Sequence, residues 1–252
     1  MLRLPGGARA ESKRQPGSGK IEPVTELSVF EAIHTARAVR RFKPDPVPEQ
    51  LITQILDAAI HAPSAGNAQN WAFLVVRDPE QRRQLGVIYR KASDIASAVY
   101  AARGRPAHLS EPQFQRLMSS GGFLWDHMAE APVILVHCQT PPTLPPPEAL
   151  PTDVRARYAD EQRYLERIRG ASIYPAVQNI VLACRALGLG TTITTNHLRL
   201  EDEVKAVLGV PGEVQTVALM PVGYPRDPFG PLVRRPLTDV AYADRWAQPW
   251  RA

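Results

Sequence analysis

The stretch HAPSAGNAQNWAFLVV, residues 61–76, joins a predicted helix to a predicted strand through a turn of unusual composition. The preceding residues 48–61 space their apolar side chains at helical intervals, and Pro48 suits the first turn of a helix. The run AFLVV, residues 72–76, is short and apolar, which is typical of a buried strand. The turn between them either simply connects the two elements, with Trp71 in the core, or offers small residues and amides to a bound molecule.

On both sides of this turn, helical and strand patterns follow one another without a regular repeat. Apolar residues recur at helical spacing in residues 27–38, 79–101, 112–130, 153–169, 172–187 and 200–209, and strand patterns occupy residues 132–138, 191–195 and 213–225. A proline-rich loop at 139–151 can continue neither a helix nor a sheet. The GLG at 188–190 follows a helix, so we expect it to end that helix. Helices that bracket separated strands without regular βαβ units favour an α+β fold over a doubly wound sheet.

The composition is that of an ordinary globular protein. Of the 252 residues, 44% are hydrophobic and 22% charged, which is enough for one domain that we place at residues 27–252. Residues 1–26 are rich in Gly, Pro, Ser and basic residues and have no apolar core, so we expect a flexible tail and not a secretory signal. Two isolated cysteines predict no disulfide framework and favour the cytoplasm, and no apolar run reaches the ~18 residues that a membrane span needs.

Common catalytic and nucleotide-binding motifs are missing from the sequence. No GxGxxG follows a strand, and there is no GxxxxGK[ST], HExxH, CxxC or GxSxG. The histidines lack metal-ligand spacing, so we expect no metal site and interpret His61, His127, His137 and His197 as structural residues. The net charge of +5 is dispersed, which favours a solvated surface over the weaker alternative of nucleic-acid binding.

Three separated pieces of sequence are not explained by core packing. The first is an arginine group, Arg37, Arg40 and Arg41, after the first predicted helix. Arg37 and Arg40 would share a face if that helix lasts so far, or they could cap its end in solvent. The second is the turn PSAGNAQNW at 63–71, and the third is LVRRPL at 232–237 near the C-terminus.

Taken together, these pieces resemble the FMN-dependent nitroreductase family. The segment ARAVRRF at 36–42 is similar to the family's Arg-Arg-Ser-x-Arg-x-Phe, and PSAGNAQNW to its Pro-Ser-x-x-Asn-x-Gln-Pro-Trp. The later runs APVILV, ALGLG and PVGYP follow in the family's order, so the resemblance covers about residues 27–246. Three positions depart from it, because Ala36 and Ala38 replace an Arg and a Ser, and Asn70 replaces a Pro. Arg41 could compensate for the two alanines.

The resemblance implies a four- or five-stranded, mostly antiparallel sheet flanked by helices, in an intertwined homodimer. The C-terminal segment TDVAYADRWAQPW, residues 238–250, would cross to the partner. FMN would lie at the dimer interface, with the arginines from one protomer and the turn at 63–69 from the other. Two such sites follow from the two-fold symmetry of a dimer.

The resemblance also assigns the residues that bind FMN. Arg37 and Arg234 would bind the phosphate and ribityl end, and Arg40 would lie near the pyrimidine edge, where a cation stabilises the charge of the reduced ring. The main-chain N–H groups of Thr194 and Thr195 would lie near N5 and O4 of the ring.

The turn supplies the remaining contacts that the resemblance implies. Pro63, Ser64 and Ala65 would bring backbone close to the ring because their side chains are small. The amide of Asn67 offers both a donor and an acceptor to the ring's N3–H and carbonyls. Gln69 would bond near the ribityl chain or the ring edge.

The activity implied is that of an NAD(P)H-dependent flavin oxidoreductase. NADH or NADPH would deliver hydride and leave, and a small oxidised acceptor such as a nitroaromatic or a quinone would take the electrons in a ping-pong cycle. No catalytic side chain is expected. The loop 139–151 and the helix 112–130 would set acceptor specificity, with Tyr89, Phe114, Phe123 and Trp125 as candidates to stack on the acceptor or to pack in the core.

Two other functions stay open at this point. Ala36 and Ala38 are compatible with a flavin-binding protein of the same fold that sequesters or regulates and has little turnover. An enzyme that consumes the flavin itself, or that reduces one dedicated metabolite, is the other possibility.

Overall fold

The computed structural model describes residues 27–230 and 232–250. The expected tail at residues 1–26 lies outside the described residues. The helices in the described ranges are α1 Val29–Thr35, α2 Glu49–Ile60, α3 Pro79–Arg103, α4 Glu111–His127, α5 Thr152–Arg155, α6 Tyr158–Ile168, α7 Ile173–Ala186 and α8 Glu201–Leu208. The strands are β1 Trp71–Val76, β2 Val133–Gln139, β3 Gly190–Thr191 and β4 Gln215–Gly223. Among these helices, none combines the length and apolar character that crossing a bilayer requires.

The strands form one four-stranded sheet in the order β1-β2-β4-β3, and every neighbouring pair is antiparallel. The register pairs Trp71 with Gln139 and Val76 with Ile134. All residues of β2 are buried, as expected for a central strand covered on both faces. The α+β class and the antiparallel sheet predicted from the sequence are therefore confirmed.

The core lies on both faces of this sheet because successive side chains of a strand point to opposite sides. Val133 and Leu135 of β2 face a cluster formed with α2 and α7, where Ile55 and Ile180 are fully buried. Ile134 and its alternate neighbours face a second cluster, which contains buried residues of α3, α4 and α8. Helices thus cover both sides of the sheet.

The first predicted helix is shorter than the sequence pattern indicated. It ends at Thr35, and Ala36 already has an extended backbone with φ −65° and ψ 116°. Ala38 then forms a parallel bridge with Thr191, and the Val39 N–H donates to the Thr191 carbonyl at 2.9 Å. The idea that Arg37 and Arg40 share a helix face is therefore wrong, because pairing with the edge of the sheet replaces the last helical turn.

Other boundaries differ in smaller ways. The predicted helix 153–169 is two helices, α5 and α6, and the predicted strand 191–195 is regular only at Thr191, with one further bridge from Thr194 to Leu219. Strand β1 is only partly buried in the single chain. The GLG run does end α7: Gly188 has φ +72°, and the Leu189 N–H closes the helix on the Cys184 carbonyl at 2.8 Å.

Candidate functional site

Two adjoining cavities open beside the edge strand β3. The larger one, about 980 Å³, is lined by residues 33–38, Arg40, residues of α7 and β3, and Arg234. The smaller one, about 400 Å³, is lined by Tyr89, Thr194, Thr195 and residues of α3 and α4. Arg40, Thr192 and Ile193 line both cavities. The chain therefore brings together Arg37, Arg40, Thr194, Thr195 and Arg234, half of the residues predicted to bind FMN.

The arginine segment 36–42 is held at both ends. Val39 packs against Gly190 so closely that a Cβ there would lie 2.6 Å from Val39 Cγ1. Phe42 is buried and forms an antiparallel bridge with Pro225. Arg37 lies against Gly230, where a Cβ would come within 2.8 Å of Arg37 Nη1. These close approaches fix the direction of the segment along the cavity.

Arg40 stands between the two cavities and is partly buried. Burial opposes its charge and lowers the pKa of its guanidinium; the neighbouring Tyr89 partly counteracts this shift, and the charge of Arg37 adds to it. Its Nη1 donates to Ser120 Oγ at 3.4 Å, a long hydrogen bond to a neutral partner. An anion placed here would relieve the unfavourable electrostatics of the two neighbouring cations.

Among residues 27–230 and 232–250, no carboxylate lines either cavity. Within the described ranges, Arg37, Arg40 and Arg234 form no ion pair, whereas Arg83 pairs with Glu80 at 2.6 Å and Arg90 with Asp94 at 3.1 Å. The cavities therefore concentrate cations that no acidic residue of the described part of the chain neutralises. Such an arrangement suits a phosphate, which guanidinium groups bind by charge-assisted hydrogen bonds.

The threonines after β3 differ in what they can offer. The Thr194 N–H donates to the Leu219 carbonyl at 3.0 Å, so the prediction that it is a donor to the ring is wrong, because bridging to β4 uses it. Its side chain faces the smaller cavity, where Tyr89 Oη lies 2.9 Å from Thr194 Oγ1. The Thr195 N–H has no hydrogen-bond partner among residues 27–230 and 232–250. Thr195 is therefore the available main-chain donor of this pair.

The turn at 63–69 lies apart from both cavities of its own chain. Ser64 Oγ accepts from the Gln69 N–H at 3.1 Å, and the Ala65 N–H donates to Ser172 Oγ at 3.1 Å. Gln69 Nε2 donates to Asn67 Oδ1 at 3.1 Å. The structure thus orders Pro63, Ser64, Ala65, Asn67 and Gln69 as one unit but does not bring them to the arginines of the same chain.

The backbone of this turn is strained. Gly66, Asn67 and Gln69 have φ values of +59°, +53° and +47°. For a residue with a side chain, a left-handed conformation costs on the order of 1–3 kcal/mol, and such strain often marks a binding site. Residues Ala65 to Gln69 are also exposed, so their amides face solvent in the single chain.

Three of the four aromatic residues suggested for acceptor stacking, Tyr89, Phe114 and Trp125, line the smaller cavity. Phe123 does not: its ring stacks on His127, with centroids 3.9 Å apart, and the Arg41 guanidinium lies 4.4 Å from its centroid. Arg41, which could compensate for Ala36 and Ala38, lies over Phe123 and lines neither cavity, so the structure gives no support to that role.

The sequence interpretation missed several residues of the cavities. Tyr100 and Arg103 of α3 line the smaller one, and His34 and Gln178 line the larger one. Tyr100 and Arg103 are three residues apart near the end of a helix, which was the available signal. The sequence alone could not distinguish this pair from an ordinary helix terminus that carries a cation.

A family pattern and two curated relatives match most of this chain. Residues 33–224 match the pattern of the Nitroreductase family. An NADH dehydrogenase of Thermus thermophilus is 31% identical over 81% of this chain and 90% of its own length. A 5,6-dimethylbenzimidazole synthase of Rhodospirillum rubrum is 32% identical over 76% of this chain and 79% of its own.

A solved structure also shares the fold. Oxidised iodotyrosine deiodinase bound to FMN and 3-iodo-L-tyrosine superposes with a TM-score of 0.63 at 22% identity, over 86% of this chain and 99% of that one. The fold, the matched residues and the two relatives agree, and the chain belongs to the nitroreductase family.

Proposed function

We propose that this protein is an FMN-dependent oxidoreductase that transfers hydride from NADH or NADPH to a small oxidised acceptor, such as a nitroaromatic or a quinone, in a ping-pong cycle. The observation that carries this proposal is the group of arginines without ion-pair partners that lines two cavities in a nitroreductase-family chain. The names of two relatives, an NADH dehydrogenase and a putative NADH dehydrogenase/NAD(P)H nitroreductase, support a nicotinamide donor.

The residues present fit FMN. The cavities of about 980 and 400 Å³ lie in or near the size range of cofactor sites, roughly 300–1,000 Å³. Arg37 and Arg234 would hold the phosphate, Arg40 would stabilise negative charge on the reduced ring, and the free Thr195 N–H would offer the ring a main-chain donor. When bound, FMN supplies a ring that accepts and returns a hydride. The chain's own task is to hold the ring, favour negative charge beside Arg40 and limit access of water.

The complete site requires a second copy of the chain. The ordered and strained turn at 63–69 faces solvent in one chain, and we propose that it covers the flavin of the partner in a homodimer, with Asn67 bonding to the ring. The C-terminal segment 238–250 supports this arrangement, because Trp246 is 86% exposed and Trp250 50% exposed. Burial of these side chains against a partner would favour association.

The two alanines of the arginine segment keep a second function under consideration. Ala36 lines the larger cavity, where the family pattern has an arginine, so the phosphate has fewer ligands here. A flavin-binding protein with little turnover would tolerate this weaker phosphate site. The 5,6-dimethylbenzimidazole synthase and deiodinase relatives also leave the acceptor open.

Reductive titration separates these functions. The purified protein is expected to show the yellow absorbance of bound flavin, and anaerobic NADPH or NADH is expected to bleach it. Added 4-nitrobenzoate or a quinone should then restore the oxidised spectrum. A bound flavin that stays oxidised with both donors would favour the sequestering protein, and a colourless protein that takes up no added FMN would contradict both functions.

We also propose a cytoplasmic location. Cys138 and Cys184 are both free and buried, and unpaired cysteines are usual in a reducing compartment.

A further inference from the structure

The smaller cavity has an apolar wall and a cationic end. Helix α4 lines it with Phe114, Leu117, Met118 and Trp125, which are spaced to fall on one face. Opposite them, the last turn of α3 contributes Tyr100 and Arg103. A planar molecule could pack against the aromatic side chains while a polar group reaches the guanidinium.

Arg103 differs from the other arginines of its helix. Arg83 pairs with Glu80, Arg90 pairs with Asp94 and Asp126, and Arg82 donates to the carbonyls of Ala129 and Ala131. Arg103 has no ion pair and no hydrogen bond with another described residue. No Asp or Glu of the described residues lines the cavity that Arg103 faces.

Arg103 has no role in the proposed FMN contacts. The proposed FMN contacts assign Arg37 and Arg234 to the phosphate and Arg40 to the pyrimidine edge. Arg103 lines only the smaller cavity, which extends from Arg40 and Thr195 towards α4. A fourth cation, Arg103, therefore remains in the smaller cavity without a role in the proposed cofactor contacts.

We propose that Arg103 binds an anionic oxygen group, a carboxylate or a phosphate, on the planar molecule that occupies the smaller cavity. This inference rests on the proposed function and narrows the acceptor to aromatic acids, or the donor to NADPH through the 2′-phosphate that NADH lacks. The guanidinium offers a fork of donors that matches either group, and the Tyr100 hydroxyl, one turn earlier, adds another donor.

Paired substrates test this assignment in the FMN-loaded protein. KM and kcat are measured for 4-nitrobenzoate against the neutral 4-nitrotoluene, and for NADPH against NADH, in the wild type and in Arg103→Gln. Loss of a charged hydrogen bond is expected to raise KM about tenfold or more either for 4-nitrobenzoate or for NADPH, with little change for 4-nitrotoluene or for NADH, which lacks the 2′-phosphate. A rise for 4-nitrobenzoate identifies an acceptor carboxylate, and a rise for NADPH alone identifies the donor's phosphate.

Two further variants serve as controls. Arg103→Lys keeps the charge without the fork and should retain part of the discrimination. Arg90→Gln removes a different arginine of α3 that lies outside the cavity and should leave both ratios unchanged. If Arg103→Gln changes KM equally for the two members of each pair, or changes KM in neither pair, the proposal is overturned.

Calorimetric titration with benzoate separates this inference from the redox function, because it requires no turnover. Benzoate that binds the wild type at least tenfold tighter than Arg103→Gln supports the anion site, even in a protein that proves redox-inactive. A yellow, NADPH-reducible protein in which Arg103→Gln changes neither benzoate binding nor the KM ratios keeps its proposed function and loses this site.

Discussion

At the scale of single residues, the site depends on arginines that form no ion pair with any residue that the structure describes. Arg40 shows the effect most clearly, since burial and the neighbouring Arg37 both lower the pKa of its guanidinium. A bound phosphate or reduced flavin would reverse this unfavourable balance, so binding energy comes from relief of repulsion as well as from new hydrogen bonds. The position most open to improvement is Ala36, which lines the larger cavity without offering a donor.

Restoring the family's arginine at this position should strengthen flavin binding. Ala36→Arg places a guanidinium at the cavity, and one charged hydrogen bond contributes roughly 1.5–3 kcal/mol, so the Kd for FMN is expected to fall about tenfold or more. Fluorescence titration of the apoprotein with FMN measures this. Arg37→Ala, the opposite change one residue away, should raise the Kd by a similar factor. Unchanged affinity in both variants would place the phosphate elsewhere.

At the scale of elements, the short strand β3 organises the site. Its Thr191 carbonyl accepts from Val39 and so holds the arginine segment, and Gly190 allows the two backbones to approach. The predictable part of the fold is the part that periodicity encodes: α2 was expected at 48–61 and spans Glu49–Ile60. The end of α1 was not predictable, because Ala36 and Arg37 favour a helix locally and only pairing with β3 overrides that preference.

Filling the space at Gly190 should disturb this element. In Gly190→Ala the new Cβ would meet Val39 at 2.6–2.7 Å, and overpacking of this kind costs typically 1–3 kcal/mol. We expect a lower midpoint of thermal unfolding together with weaker FMN binding, because the arginine segment must move. Gly212→Ala is the matched control, since its Cβ would meet nothing within 4 Å and should leave FMN affinity unchanged. Equal effects of the two variants would refute the role given to β3.

At the scale of the whole molecule, the core contains two histidines that are neutral in the fold. Burial lowers the pKa of His137 to about 4, and burial also lowers the pKa of His197 to about 4, although the nearby carboxylate of Glu201 opposes this shift. Both ring nitrogens of His197 and Nε2 of His137 lack a hydrogen-bond partner among the described residues. Their expected role as structural residues agrees with this burial, and it makes the fold sensitive to acid.

Stability should fall below neutral pH. Above pH 6.5 both histidines are neutral in the folded and unfolded states. Between pH 6.5 and about 4, the two histidines become protonated in the unfolded state but stay neutral in the folded state, so the free energy of unfolding decreases. The loss can reach about 3 kcal/mol for each histidine. Denaturant unfolding at several pH values measures it. His137→Leu should flatten the slope between pH 6 and 4.5, while His61→Leu, at an exposed helix end, should not; identical slopes in all three proteins would exclude this cause.

Contacts between distant parts of the molecule limit how much of the site could be predicted from the sequence. Resemblance identified the arginines, and the structure brings Arg37, Arg40 and Arg234 to one cavity. The resemblance did not predict that the Thr194 N–H donates to the Leu219 carbonyl or that Arg41 lies over Phe123. Both contacts depend on neighbours that are distant in sequence. The role proposed for the turn at 63–69 requires a second copy of the chain, which the pattern of one sequence does not describe.

The central claim is that each flavin site combines the arginines of one protomer with the turn of the other. Co-purified heterodimers of an Arg37→Ala, Arg40→Ala chain with an Asn67→Ala, Gln69→Ala chain test it, using FMN content per dimer. The shared site predicts one tightly bound FMN in the heterodimer, because one site keeps both intact halves, and little in either variant homodimer. No tightly bound FMN in a well-folded heterodimer, or full occupancy in the variant homodimers, would contradict the claim.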